Sequence, residues 1–158
     1  YGKWIQHAAE DVKYYELKRR LIDFPGFRLI WNRVIHNQES LGFRFEIENR
    51  VIAFSGDSGY CQDLIRLCKD ADVAVLECSH TDELAVKGHL SPSLAAKVAE
   101  NAGVKRLILT HFYPDALEGD PLSVARKYFS GPVQIANDGD VLTIPLKDTR
   151  ESPGSTSV

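Results

Sequence analysis

Three polar side chains follow predicted strands, and their types are suited to binding metal ions. They are His36, Asp57 and His111, which come at the ends of strands expected at 27–36, 50–55 and 107–110. Imidazole nitrogens and carboxylate oxygens are the usual ligands of Zn²⁺ and similar metals, and loops at strand ends commonly carry sites. Taken singly, each residue has a plainer interpretation, either a hydrogen-bonded structural histidine or, for Asp57, part of a Gly-Asp-Ser-Gly turn. Metal chemistry therefore requires the fold to bring the three together.

The elements that would position these residues change along the chain. Apolar and polar residues alternate over 41–48, and 50–55 runs apolar after a turn, which predicts an antiparallel hairpin. Beyond the hairpin, apolar strands alternate with amphipathic helices, as in an α/β layered sheet with helices on its face. Ser91 is the expected N-cap of one helix, Pro92 its first residue and Gly103 its end. The other expected helices are 4–22, 62–69 and 121–129, and the other expected strands are 73–76, 133–136 and 141–144.

Composition and charge exclude several classes of protein. The 158 residues are 44% hydrophobic and 26% charged with a net charge of −3, which is typical of a globular protein. This charge excludes a strongly basic nucleic-acid-binding surface but leaves a local basic patch open. No apolar run approaches the ~20 residues of a membrane span. We therefore expect a cytoplasmic protein without a membrane partner. Cys61, Cys68 and Cys78 are odd in number and lack CxxC spacing, so we expect three buried reduced thiols.

Four segments occur in the order and strand contexts of a known superfamily. They are 36–46, which contains Leu-Gly-Phe-Arg-Phe-Glu, 51–58, which contains Ser-Gly-Asp-Ser, 88–89, which is Gly-His, and 107–112, which contains Leu-Thr-His-Phe. In this arrangement the chain resembles the metallo-β-lactamase superfamily, and within it the branch of ribonuclease Z and related metal-dependent phosphodiesterases. The resemblance extends from about Tyr1 to Ile144. It implies an αββα sandwich in which residues 1–146 form the C-terminal βα half, followed by a polar tail at 147–158.

The resemblance assigns metal-binding roles to three residues. It implies that His36 ligates a first metal ion, that Asp57 bridges two ions, and that His111 ligates the second. A carboxylate has two oxygens and can hold two cations at the separation that two-metal hydrolases use. Such a site lowers the pKa of a trapped water and makes hydroxide available as the nucleophile, which gives Asp57 a catalytic role as well. We expect two divalent ions, with zinc favoured over manganese or iron.

Two further residues receive roles from the resemblance. His89, after Gly88 at the start of a predicted helix, matches a histidine that assists at the scissile phosphate without binding metal. The helix N-terminus would add N–H donors near an anion. The plainer interpretation is that His89 packs around the helix start. Glu77 matches an acidic residue of the branch in part, and either orients His89 from outside the metal ligands or is a simple buried acid. His7 and His80 receive no role.

The most specific motif of the superfamily, HxHxDH, is absent from this sequence. In complete relatives it supplies three metal ligands and an aspartate beside the nucleophilic water, and it lies before a segment that Tyr1-Gly2 resembles. We therefore expect an N-terminal half carrying HxHxDH to complete the site, and this chain alone to bind metal weakly and to lack catalysis. Half a sandwich exposes a sheet face, which predicts a homo-oligomer.

The resemblance leaves the substrate open. The first hypothesis is a dinuclear metal hydrolase that acts, in its complete form, on a phosphodiester in RNA or in a small molecule. A lactone, thioester or sulfate ester is the nearest alternative, because the metal core is common to all of these activities. A non-catalytic module of the same fold is the alternative from a different class of protein.

Overall fold

A seven-stranded sheet dominates the computed structural model, which describes residues 17–145. The strands are β1 (Leu21–Phe24), β2 (Phe27–Arg33), β3 (Leu41–Ile47), β4 (Arg50–Phe54), β5 (Val73–Glu77), β6 (Leu107–Thr110) and β7 (Val133–Ile135). They lie side by side in chain order. The helices are α1 (Gln62–Cys68), α2 (Pro92–Ala102), α3 (Pro114–Glu118) and α4 (Pro121–Ala125). This arrangement confirms the predicted α/β layered sheet.

The sheet changes from antiparallel to parallel at β4. Strands β1 to β4 pair antiparallel, whereas β4 to β7 pair parallel through crossovers that contain the helices. The predicted hairpin is therefore present as β3 and β4, with Phe45 opposite Ile52. Because β4, β5 and β6 run in the same direction, their carboxyl ends meet at one edge of the sheet. In open α/β sheets that edge is where ligands bind.

Helices α1 and α2 cover one face of the sheet and form the core with it. Leu64 and Leu67 of α1 are buried against small residues such as Ala53 of β4. Burying each leucine contributes roughly 1.5–3 kcal/mol. Gly42 of β3 leaves the room for this packing, since a Cβ there would lie 2.9 Å from Leu67 Cδ1.

The opposite face of the sheet is aromatic and partly exposed. Phe45 and Phe54 meet edge to face with ring centroids 5.8 Å apart. With Phe43 they line a cavity of about 550 Å³ whose rim includes Asp57 and His111. The carboxyl edge of the sheet therefore adjoins a large apolar surface.

Helix α2 begins and ends as predicted, but its first turn is capped differently. Ser91 is at the N-cap, Pro92 is the first helical residue, and Gly103 ends the helix at φ 67°. The Ser91 hydroxyl makes no capping hydrogen bond. Instead, the N–H of Ser93 donates to Asp82 Oδ1 at 3.2 Å. A carboxylate from the preceding loop therefore takes the role expected of Ser91.

Four predicted elements differ from the structure. Leu21 and Ile22, expected at the end of a helix over 4–22, lie in β1 because that segment pairs with β2; residues 1–16 lie outside the described part. No strand forms at 141–144, since these residues pair with no neighbouring strand and Val141 is 92% exposed. Helix α4 ends at Ala125 rather than at residue 129, and β2 ends at Arg33 rather than at residue 36. The predicted tail at 147–158 also lies outside the described residues.

The three thiols differ in how deeply they are enclosed. Cys68 and Cys78 are buried and Cys61 is half-buried, and none is in a disulfide. Burial raises the pKa of both buried thiols to about 12, which keeps them protonated. The prediction of reduced cysteines thus agrees with the structure, except that Cys61 is less enclosed than expected. Over the described range 17–145, no helix has the length and apolar character needed to cross a membrane.

Candidate metal and catalytic site

The carboxyl edge of the sheet brings two of the predicted metal ligands into contact. Asp57 follows β4 and His111 follows β6, and His111 Nε2 lies 3.5 Å from Asp57 Oδ1. Their side chains are 46% and 40% exposed, so both are open to a ligand. The turn before Asp57 needs glycine, because Gly56 has φ 56° and a Cβ there would lie 2.7 Å from the Leu41 carbonyl oxygen.

His111 itself has an unusual backbone conformation. Its φ is 60°, in the left-handed region that non-glycine residues rarely adopt. Such a conformation costs of order 1–3 kcal/mol and persists where the surrounding structure enforces it, frequently at functional sites. The backbone on both sides is fixed, since the Cys78 N–H donates to Thr110 O at 2.8 Å and the Tyr113 N–H donates to Ser79 O at 2.9 Å.

His36 enters the same edge from the loop after β2. An isolated bridge between Ile35 and Gly59, with the Gly59 N–H donating to Ile35 O at 2.6 Å, ties this loop to the turn that carries Asp57. His36 Nδ1 lies 3.2 Å from Gly88 O, so Nδ1 carries the proton that it donates to this carbonyl. That tautomer leaves the Nε2 lone pair for a metal, which is how a metal-binding histidine is usually oriented.

His89 lies between the other two histidines. Its ring centroid is 4.6 Å from that of His36, edge to face, and 5.9 Å from that of His111, nearly parallel. The structure thus gathers His36, His89, His111 and Asp57 into one continuous row of side chains. The metal and catalytic roles of these residues stay predictions.

Glu77, the last residue of β5, is a buried carboxylate that contacts this row through His89. Its side chain is 2% exposed. Oε1 accepts hydrogen bonds from the Ser58 N–H at 2.7 Å and from His89 Nδ1 at 2.9 Å. Oε2 accepts from the Ser79 hydroxyl at 2.6 Å. The carboxylate therefore contacts both His89 and the turn after Asp57. Because this contact uses His89 Nδ1, the other ring nitrogen, Nε2, is the one that could act on a ligand.

The donor set fits a metal such as zinc but is incomplete within residues 17–145. Imidazole nitrogens and a carboxylate oxygen are suitable ligands, and one histidine already has the tautomer that ligation requires. Within residues 17–145, no group of three or more His, Cys, Asp and Glu side chains is arranged so that it could hold a metal ion. A metal ion at this edge would therefore need ligands in addition to those that the described residues offer.

The helix N-terminus next to His89 differs from the sequence interpretation. Pro92 has no N–H, and the N–H of Ser93 is already bonded to Asp82. The first two residues of α2 thus have no free donor for an anion. The suggestion that this helix end assists anion binding stays a prediction, but Pro92 and Ser93 would not supply the donors while Asp82 is bonded there.

A second histidine–carboxylate pair beside the site was missed by sequence reasoning. His80 Nδ1 lies 3.0 Å from Asp115 Oδ1, and its ring stacks on Tyr113 with centroids 4.6 Å apart. The Thr81 N–H also donates to Asp115 at 3.1 Å. Burial opposes ionisation of Asp115, but the hydrogen bonds from Thr81 and His80 hold the pKa of this carboxyl below its ordinary value. Nothing in the local sequence signals a contact between residues 35 positions apart.

Comparisons with known proteins identify the family of this chain. Residues 11–112 match the family model of the β-lactamase superfamily domain. The chain is 35% identical over 149 residues to an uncharacterised protein of Mycobacterium leprae, ML1173, covering 91% of this chain and 52% of that protein. It is 40% identical over 106 residues to ribonuclease Z of Myxococcus xanthus, covering 63% of this chain and 34% of that enzyme.

A solved structure shows the same fold. The metallo-β-lactamase fold protein YhfI of Bacillus subtilis superposes with a TM-score of 0.73 at 23% identity, over 80% of this chain and 52% of YhfI. The chain thus spans about half the length, or less, of the relatives that it matches. The family model, the ribonuclease Z relative and the shared fold lead to one assignment: this chain belongs to the metallo-β-lactamase superfamily and is similar to its ribonuclease Z members.

Proposed function

We propose that the complete protein is a metal-dependent hydrolase of phosphodiesters, similar in mechanism to ribonuclease Z. The observation that carries this proposal is the Glu77–His89 pair, held beside the rings of His36 and His111. A histidine oriented by a buried carboxylate is a suitable general acid or base. The 40% identity to a ribonuclease Z supports a phosphodiester as the substrate class, in RNA or in a small molecule.

His36, Asp57 and His111 are the residues that would hold two divalent metal ions, with zinc as the proposed metal. When bound, the ions supply hydroxide at neutral pH and neutralise charge on the phosphoryl oxygens. Asp57 is suited to bridging because its carboxylate is exposed and lies against His111. His36 is suited to ligation because the Gly88 carbonyl fixes its tautomer.

His89 would move the proton. Its Nδ1–H is held by Glu77, so Nε2 is the atom that would deliver a proton to the departing oxygen. A positioned acid of this kind contributes about 10²–10⁴-fold to the rate. Glu77 would fix the imidazole orientation and stabilise its protonated form, while remaining shielded from water.

The remaining ligands are proposed to come from an HxHxDH segment outside this chain, in the same polypeptide or on a partner. The aromatic face around Phe45 and Phe54 is the surface that such a half would cover. The isolated chain is proposed to self-associate through this face and to be inactive. Light scattering tests the association, and a stable monomer at micromolar concentration would contradict it.

A substrate panel on the full-length protein tests the function. With added zinc or manganese, we expect hydrolysis of bis-p-nitrophenyl phosphate or of precursor tRNA, and loss of that activity in Asp57→Asn. Asp63→Asn is the matched control, because Asp63 pairs with Arg66 on the surface of α1. Activity on a lactone, thioester or sulfate ester alone would replace the proposed substrate class. Absence of all these activities would favour a non-catalytic module.

A further inference from the structure

We propose that His80, Asp115 and Tyr113 are positioning residues that brace His111 in its left-handed backbone conformation. The contacts of the brace stand by themselves, whereas its effect on a metal ion rests on the proposed function. The brace consists of the segment 78–81, which follows β5, pressed against the segment 110–115, which follows β6.

The backbone conformation of His111 requires contacts that hold it in place. Four described residues other than glycine have positive φ, and they are Glu48, Asp70, His111 and Asp120. Among them, only His111 carries a side chain of the candidate site. A strained residue keeps its conformation only where several contacts with the surrounding structure enforce it. The structure must therefore hold both neighbours of His111 in place.

Backbone hydrogen bonds supply the first part of that restraint. Cys78 N–H donates to Thr110 O at 2.8 Å, immediately before His111, and Tyr113 N–H donates to Ser79 O at 2.9 Å, two residues after it. Between these two bonds the chain turns sharply. They fix where the turn begins and ends, but they leave the orientation of the following segment to other contacts.

Side chains supply the second part. Asp115 accepts from His80 Nδ1 at 3.0 Å and from the Thr81 N–H at 3.1 Å, which ties the start of α3 to the segment that follows β5. The Tyr113 ring lies against His80 with an interplanar angle of 17°. The same ring meets His111 edge to face at 6.0 Å. Tyr113 is thus held between His80 and His111.

His80 acts through these neighbours rather than as a metal ligand. Its Nδ1 is committed to Asp115, and its ring contact in the site is with Tyr113 instead of with the histidine row. Residues that orient a metal ligand without touching the metal change metal affinity by about 10–100-fold when they are removed. The brace predicts an effect of that size at His111.

The test compares four variants of the full-length protein. Asp115→Ala removes the acceptor, and His80→Phe removes the donor, of the hydrogen bond between His80 and Asp115. His80→Phe also keeps a ring against Tyr113. Asp115→Asn keeps an acceptor oxygen and serves as the conservative rescue. Asp120→Ala is the control, because Asp120 also accepts a backbone N–H but does so as the N-cap of α4. Two readouts are made: the amide order parameter and HN–Hα coupling of His111 by NMR without metal, and zinc affinity by titration.

We expect the order parameter of His111 to fall from about 0.85 towards 0.6 in Asp115→Ala and in His80→Phe, with a changed coupling. Zinc affinity should fall by about 10–100-fold in both, recover largely in Asp115→Asn, and be unchanged in Asp120→Ala. An unaltered His111 coupling and order parameter in either folded brace variant would overturn the proposal. If the full-length protein binds no zinc while the NMR changes appear, the brace is supported and the proposed metal function fails.

Discussion

Replacing Asp72 with asparagine removes a buried carboxylate that ties the strands together at the edge opposite the site. The Asp72 side chain is 4% exposed, and its Oδ1 accepts from Arg50 Nη1 and from Lys105 Nζ, each at 2.8 Å. Its Oδ2 accepts from the Val51 N–H at 2.9 Å. Burial opposes ionisation of this carboxyl, but the hydrogen bonds from Lys105 and Val51 outweigh it. The pKa of Asp72 is therefore lowered from 3.8 to about 2.

The lowered pKa sets both the magnitude and the pH window of the effect. The difference between 3.8 and about 2 corresponds to about 2 kcal/mol of unfolding free energy. Because the folded-state pKa lies below the unfolded one, this stabilisation is complete above about pH 5 and is lost as the pH falls. About half of it remains near pH 3 and very little remains at about pH 2.

Denaturant unfolding of both proteins at pH 7, pH 3 and pH 2 measures the effect. Asp72→Asn should be less stable than the original chain by about 2 kcal/mol or more at pH 7, since Arg50 also loses a charged partner. The difference should shrink by about 2 kcal/mol on going to pH 2. Asp63→Asn, at an exposed pair with Arg66, should change stability by about 0.5 kcal/mol or less. A difference for Asp72→Asn that stays constant from pH 7 to pH 2 would refute the reasoning.

Three further predictions concern the site in the full-length protein. His111→Ala should lower bound metal and activity together, and Asp57→Ala should do so more severely because a bridging carboxylate serves both ions; metal analysis with kinetics measures this. His89→Ala should keep its metal and lose about 10²–10⁴-fold in turnover on phosphodiesters, with a smaller loss for acidic leaving groups; loss of metal would instead make His89 a ligand. Gly56→Ala should destabilise the chain by about 1–3 kcal/mol, because the added Cβ would lie 2.7 Å from the Leu41 carbonyl oxygen. Denaturant unfolding measures this, and an unfolding midpoint equal to that of the original chain would contradict it.

Local patterns in the sequence determined many of the elements. Alternation over 41–48 predicts β3, the apolar run at 73–76 predicts β5, and the Ser-Pro start and Gly103 end predict α2. Each of these signals involves residues within a few positions of one another, where backbone preference and side-chain periodicity act directly. The predicted site residues also come at one edge, because parallel strands place their carboxyl ends together.

Tertiary structure alone decided the contacts that span long stretches of sequence. His36 meets the Gly88 carbonyl across 52 positions, and His80 meets Asp115 across 35. Ser91 loses its capping role to Asp82, and residues 141–144 have strand-like composition without a strand to pair with. Such contacts depend on how strands align and on which loop reaches a given donor first. Those outcomes follow from packing and from the satisfaction of buried polar groups over the whole sheet, which no local pattern encodes.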